Sequence, residues 1–226
     1  MMESVDSQMG ERTGYESPSW WYDLRGFFIL KLAYRGSLIG QIQFFRRNLL
    51  LNQGGEHLEA AIGSGTLFSL VLLTLGRRGR QMIRKIVGFD YAEQMLSGAR
   101  KRFRGRPEIE LLAADVHSLP FADGHFQTVN VANAIHCFSK IEIALGELYR
   151  VLKPGGWLAT NVLLEPRGFR VQRWVADKIN RWGAQKGILY RAYREDEFLK
   201  QAEQAGFVIV HQDVRGNALF LVLQRP

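Results

Sequence analysis

The chain has 226 residues, enough for one well-packed domain and short for two. Hydrophobic residues make up 46% and charged residues 23%, which excludes a chain too polar to bury a core. The net charge of +8 invites a nucleic-acid reading, but no RRM, KH or zinc-finger signature accompanies it, so a nucleic-acid partner is not expected.

Residues 1–18 are polar and acidic enough to exclude a signal peptide, and a loosely held tail is expected there. Residues 19–52 are rich in aromatics and read as a helical cap, one or two amphipathic helices broken near Gly36 or Gly40. Within them, 26–45 is the most apolar long stretch. Lys31, Arg35, Gln41 and Gln43 interrupt it, so a bilayer span is rejected, while a surface contact with membrane through residues 20–50 stays open. From 53 to 226 the pattern alternates. Strands are predicted at 57–62, 85–90, 109–114, 126–133, 156–164, 207–213 and 218–224. Helices are predicted at 66–76, 92–104, 140–152 and within 167–205, with a short one at 116–119. Alternating strands and helices imply a doubly wound, mostly parallel, Rossmann-like α/β sheet of seven strands. The last two strands, joined by Arg215-Gly216-Asn217, read as an antiparallel hairpin at its edge. Of the basic clusters at Arg46-Arg47, 77–85 and 99–106, two fall where solvated helix ends or loops are expected. The single cysteine, Cys137, excludes an internal disulfide and a cysteine-based zinc site, and a reducing, cytoplasmic compartment is expected. No cluster of His, Asp and Glu has metal-ligand spacing.

In such sheets ligands bind at the carboxyl ends of the strands, so the turn AIGSGT after the first strand is the expected site. Gly63 and Gly65 let the backbone turn sharply and approach a ligand. A dinucleotide fingerprint would place a small residue where Phe68 stands, and a Walker A loop would carry Gly-Lys-Ser/Thr after the turn; both are absent. Glu59, just ahead of the turn, would repel a pyrophosphate in a low-dielectric cleft. A ligand with a cationic end and no phosphate answers both features, and S-adenosylmethionine has one. Asp90 ends the second strand, placed to accept from ribose hydroxyls, and Asp115 follows the third, placed to accept from an adenine amino group. Each acid alone is an ordinary cap or turn residue. In this order, at three successive strand ends, they describe one crevice.

LEAAIGSGT, IVGFDYAEQML, AADVHSLPFADGHF and ELYRVLKPGGWL together resemble the class I S-adenosylmethionine-dependent methyltransferases, in the menaquinone/ubiquinone C-methyltransferase-like (methyltransferase type 11) branch. The resemblance runs from about Gly55 to Gly156 and more weakly to the C-terminus. It implies S-adenosylmethionine as cofactor, held by Glu59, Ala61, Gly63, Ser64, Gly65, Asp90, Tyr91, Met95, Asp115, Val116 and Asn133. Ala61 stands where many members have a glycine, and Gln127 where they have an acid after Phe126. The implied reaction is in-line methyl transfer to a small, lipophilic or aromatic acceptor. The alternatives are a cofactor-binding protein without transfer, or transfer of a different group from the same cofactor. His136, in NAIHCF after the fourth strand, is the candidate general base, because family substrates meet the sulfonium there and His titrates near neutrality. Tyr22, in a Tyr22-Asp23-Leu24 element similar to one near the family's N-terminus, is the second catalytic candidate. Trp20, Trp21, Phe27 and Phe28 read as lining for an apolar pocket or as core.

Overall fold

A computed structural model describes residues 37–185 and 189–226. The tail 1–18, Tyr22 and the aromatics from Trp20 to Phe28 lie outside the described residues.

Seven strands form one sheet: β1 (Glu56–Ala60), β2 (Lys85–Asp90), β3 (Ile109–Ala113), β4 (Phe126–Val131), β5 (Leu152–Leu163), β6 (Val208–Arg215) and β7 (Ala218–Gln224). Their order is β3-β2-β1-β4-β5-β7-β6, with β7 antiparallel to both of its neighbours and every other pair parallel. β1 and β4 are buried almost throughout, as parallel strands covered on both faces must be. β6 is the exception. It is an edge strand, mostly exposed, and His211, Asp213 and Arg215 blunt the open edge.

Helices cover both faces. On one side α1 (Leu38–Leu49), α2 (Thr66–Thr74) and α4 (Glu93–Arg102) enclose a cluster that includes Phe44, Phe45, Leu49, Phe68, Leu72, Phe103 and Phe220. On the other, α5 (Ile141–Val151) and α7 (Glu195–Gln204) bury Leu145, Leu148, Phe198 and Phe207 against β4, β5 and β7. α3 (Gly76–Gln81) follows α2, and α6 (Arg170–Gln185) lies between β5 and α7. The hydrophobic period of 3.6 residues is clearest in α5, where Ile141, Ala144, Leu145, Leu148 and Val151 are all buried.

Three sequence expectations are corrected, and of the two breaks read for the helical cap Gly40 is not one. The helix expected over 66–76 divides, because Gly76 takes φ +58 and restarts the chain as α3. No helix forms at 116–119; Asp115 and Ser118 form an isolated bridge around a tight turn instead. α1 runs straight through Gly40 and begins where Ser37 caps it, its hydroxyl accepting from the Gly40 N–H at 3.3 Å. β5 begins at Leu152 and not at 156. Leu152 pairs with Phe126, the Lys153-Pro154-Gly155-Gly156 turn bulges out, and pairing resumes at Trp157 with Thr128. Gly155 has φ +74, and a Cβ on Gly156 would sit 2.7 Å from the Lys153 carbonyl, so this bulge requires its glycines.

Candidate active site

The turn after β1 is built from three left-handed residues at alternate positions: Ala61 (φ +51), Gly63 (φ +60) and Gly65 (φ +76). Two are glycines, for which the conformation is free. Ala61 is not, and holds a strained backbone costing about 1 kcal/mol. The glycines are not equivalent. A Cβ on Gly65 would lie 2.4 Å from Cε2 of Phe103, whereas one on Gly63 would project into open space. Gly65 is therefore required by packing, and Gly63 leaves room for something the protein itself does not supply.

Asp90, at the end of β2, fixes the turn. Its Oδ2 accepts from the Gly63 N–H at 2.8 Å and its Oδ1 from the Ala92 N–H at 2.9 Å. Burial pushes the Asp90 carboxyl above the usual carboxylate range, and the backbone N–H groups of Ala92, Gly63 and Tyr91 oppose that shift. From behind, Arg102 of α4 donates to the Ser64 carbonyl at 3.0 Å and to the Thr66 hydroxyl at 2.7 Å. Arg102 belongs to a run that reads in sequence as a solvated basic cluster; only its long-range placement reveals this role.

Glu59 is 3% exposed. Its Oε2 accepts from Asn130 Nδ2 and pairs with His57 Nε2, both at 3.1 Å. Behind these stand Thr128, whose Oγ1 lies 2.9 Å from His57 Nδ1, and two side chains from α1 and its C-terminal end: Asn52 donates to Thr128 Oγ1 and Asn48 to Asn130 Oδ1, each at 2.8 Å. Thr128 Oγ1 accepts from Asn52 and can donate to His57 Nδ1, which leaves Nε2 to donate to the carboxylate. Burial drives the Glu59 carboxyl upward; the bonds from His57 and Asn130 act against it. The i, i+2 spacing of His57 and Glu59 puts both on one face of β1.

Asp115 follows β3 and is partnered by a residue two positions on. His117 brings its N–H to 2.9 Å and its Nδ1 to 2.6 Å of Asp115 Oδ1. The Lys140 N–H donates to His117 Nε2 at 3.3 Å. An amide N–H only donates, so Nε2 is the acceptor and Nδ1 carries the proton given to Asp115. Around these acids, Met95 and Val116 are buried and Tyr91 is 54% exposed.

At the end of β4, Asn133 adopts φ +55 and exchanges two amide hydrogen bonds with Gln41 of α1, both 3.1 Å, while Asn161 of β5 donates to its Oδ1 at 2.6 Å. His136 sits on the short 3-10 turn Ile135–Cys137, and its carbonyl accepts from the N–H groups of Tyr190 and Arg191. Burial lowers the His136 pKa to about 4, so the imidazole is neutral across the ordinary pH range. A group that weakly basic is poorly matched to general-base work near neutrality, which favours a pKa near 7. A separate cavity of about 540 Å³ is lined by residues that include Glu165, Arg167, Tyr193, Arg194 and Glu195. It shares no residue with the glycine turn, and both of its arginines are paired, Arg167 with Glu195 and Arg194 with Asp196.

The strand order, the glycine turn and the three acids thus coincide at the carboxyl edge of β1, β2 and β3. Residues 58–160 match the family described as a methyltransferase domain. Over that stretch the chain is similar to S-adenosylmethionine-dependent methyltransferases. The chain is similar to the 2-phytyl-1,4-naphtoquinone methyltransferase of Thermosynechococcus vestitus, 33% identical over 143 residues that make up 60% of this chain and 61% of the relative. It is 43% identical over 102 residues to the demethylmenaquinone methyltransferase of Thermus thermophilus, covering 45% of this chain and 44% of that one. In fold it is similar to a SAM-dependent methyltransferase from Aquifex aeolicus, with a TM-score of 0.65, 19% identity and coverage of 93% of this chain and 99% of that one. The matched stretches span about half the length of the curated relatives. S-adenosylmethionine is the cofactor that the match to a methyltransferase domain implies. The donor set fits it: open space over Gly63, a carboxylate at each of three strand ends, and no lysine or arginine in the turn to demand a phosphate.

Proposed function

We propose that the chain transfers a methyl group from S-adenosylmethionine to a small, lipophilic acceptor of the quinone kind. The observation that carries the cofactor half is the pairing of Asp90 with the Gly63 N–H beside open space. The acceptor half rests on the relatives named for quinone substrates.

In this reading the Asp90 oxygens, which hold the turn through backbone N–H groups, also accept from the ribose hydroxyls. Both bonds to Glu59 end on Oε2, which leaves Oε1 for an ammonium group. Asp115 spends Oδ1 on His117 and offers Oδ2 to an adenine amino group. Tyr91, Met95 and Val116 flank the rings, and Ala61, Ser64 and Gly65 shape the turn around Gly63. Asn133, tied to Gln41 and Asn161, fixes the far wall. The cofactor supplies an activated, sulfonium-bound methyl group. The chain's own residues orient it, exclude water and hold the acceptor in line. His136 lines the acceptor side as a neutral ring, and Tyr22 is proposed to close over it. In this reading the protein works in the cytoplasm as an enzyme of the methyltransferase class.

Calorimetric titration with S-adenosylmethionine, S-adenosylhomocysteine and NAD tests the first half. Both adenosyl ligands are expected to bind and NAD not to. Asp90→Ala should weaken adenosyl binding at least about tenfold, since a hydrogen bond to a charged group contributes roughly 1.5–3 kcal/mol. Retained affinity in that variant would refute the site. Labelled methyl transfer to a prenylated naphthoquinol set against a water-soluble catechol tests the second half, and a preference for the catechol would refute the lipophilic acceptor.

A further inference from the structure

We infer that α6 is a docking helix for an anionic lipid surface. Five of the fourteen large hydrophobic side chains described as exposed fall between residues 169 and 190. Phe169 is 81% exposed, Val171 73% and Trp174 53%, values far from those of a helix whose apolar face meets the core. α6 buries only a narrow stripe. Ala176 and Gly183 are fully covered, and Ile179 packs against the aromatic cluster beneath. At 100° per residue the opposite face carries Arg170, Val171, Trp174, Lys178 and Arg181. The Lys178 ammonium lies 4.1 Å from the Trp174 ring centre. From 169 to 185 the sequence holds Arg170, Arg173, Lys178 and Arg181 against one acid, Asp177, a net charge of +3.

A tryptophan amid arginines and lysines on a helix too polar to cross a bilayer is the pattern of a helix lying in the headgroup plane. No helix among the described residues is long and apolar enough to span a membrane. Charge complementarity commits the surface to one occupant. Anionic headgroups pair with the bases while the ring and the exposed Val171 and Phe169 enter the acyl boundary, whereas a nucleic acid would leave that aliphatic surface in water. The sequence placed any membrane contact at 20–50, but its described part, α1, turns Gln41, Phe44, Phe45, Asn48 and Leu49 into the domain. Beyond α6, the Tyr190 and Arg191 N–H groups donate to the His136 carbonyl of the candidate site. Docking through α6 would bring that edge of the sheet to the bilayer, where a lipophilic molecule dissolves.

The test is co-sedimentation of the full chain with vesicles of phosphatidylcholine alone and of equimolar phosphatidylcholine and phosphatidylglycerol, without cofactor or acceptor. The result is therefore independent of the methyl-transfer reading. Binding is expected only to the anionic vesicles and should fall steeply with salt. Arg170→Glu with Arg181→Glu should lower partitioning about tenfold or more, and Trp174→Ala should lower it several-fold. The mutated side chains are exposed, and an unchanged thermal melt verifies the fold. Four results would overturn the inference: no vesicle binding, equal binding to both compositions, variants that bind like the parent chain (which puts the contact elsewhere, as in residues 1–36), or duplex RNA that displaces the protein from vesicles.

Discussion

Ala61 shows how much a single backbone angle decides. Its φ of +51 is a glycine's conformation held by an alanine, in the same turn where Gly63 and Gly65 relax into theirs. Ala61→Gly should therefore stabilise the protein by up to about 1 kcal/mol in urea unfolding, because the relieved strain exceeds the added freedom of the unfolded chain. Gly65→Ala should do the reverse. It adds the same φ penalty and drives a methyl to 2.4 Å from the Phe103 ring, for a loss of about 2 kcal/mol or more. If both variants unfold at the parent's midpoint, the turn is not strained in this way. At this scale the sequence was readable for Glu59, Asp90 and Asp115, since each stands at the end of a strand that its apolar run announces. It was not readable for Arg102, Asn130 or His117. Their partners lie across a strand, or involve a tautomer fixed by the Lys140 N–H, and nothing local in sequence marks either.

α1 is the element whose role changed most between sequence and structure. Read alone it is an amphipathic helix that a membrane or a partner could claim. In the fold its buried face carries amides as well as aromatics, and those amides reach β4 and the turn after it: Gln41 to Asn133, and Asn48 to Asn130 and the Val129 carbonyl. Asn48→Ala would leave the Val129 carbonyl without this donor and open a void behind Glu59. A loss of about 1–3 kcal/mol in unfolding free energy is expected. Because Asn130 also donates to Glu59, the same variant should weaken S-adenosylmethionine binding in calorimetry, while the exposed-face control Ile39→Ala should leave both quantities unchanged. If Asn48→Ala lowered stability alone, the network would be a packing device with no bearing on Glu59. The KPGG bulge teaches the same lesson. The motif was plain in sequence, but that β5 pairs on both sides of it follows only from β4 lying alongside.

For the whole molecule, the buried ionisable groups set the response to pH. His136 has a folded pKa of about 4 against an ordinary 6.5. Between those values the unfolded chain binds a proton that the folded protein refuses, so the His136 contribution makes stability rise with pH. It is fully present above about pH 6.5 and lost as pH falls through that window, at up to about 3 kcal/mol. Glu59 and Asp90 are shifted upward, so their native forms take up protons more readily than the unfolded chain and they act with the opposite sign. The clean observable is a difference. His136→Asn should lose less stability than the parent between pH 7 and pH 5 in thermal unfolding, and parallel pH curves would show that His136 is not held neutral by burial.

What the sequence by itself determined is the alternation of elements, the glycine turn and the order of the three acids, because hydrophobic period, φ requirements and strand-end position are local properties. What the tertiary structure decided is which groups those acids meet and which surfaces stay open. It placed α1 amides behind Glu59 and a burying shell around His136, and it left the basic, tryptophan-bearing face of α6 to solvent. Those outcomes depend on strand order and on which helix covers which face, and they bring together residues about 70 to 90 positions apart in the chain.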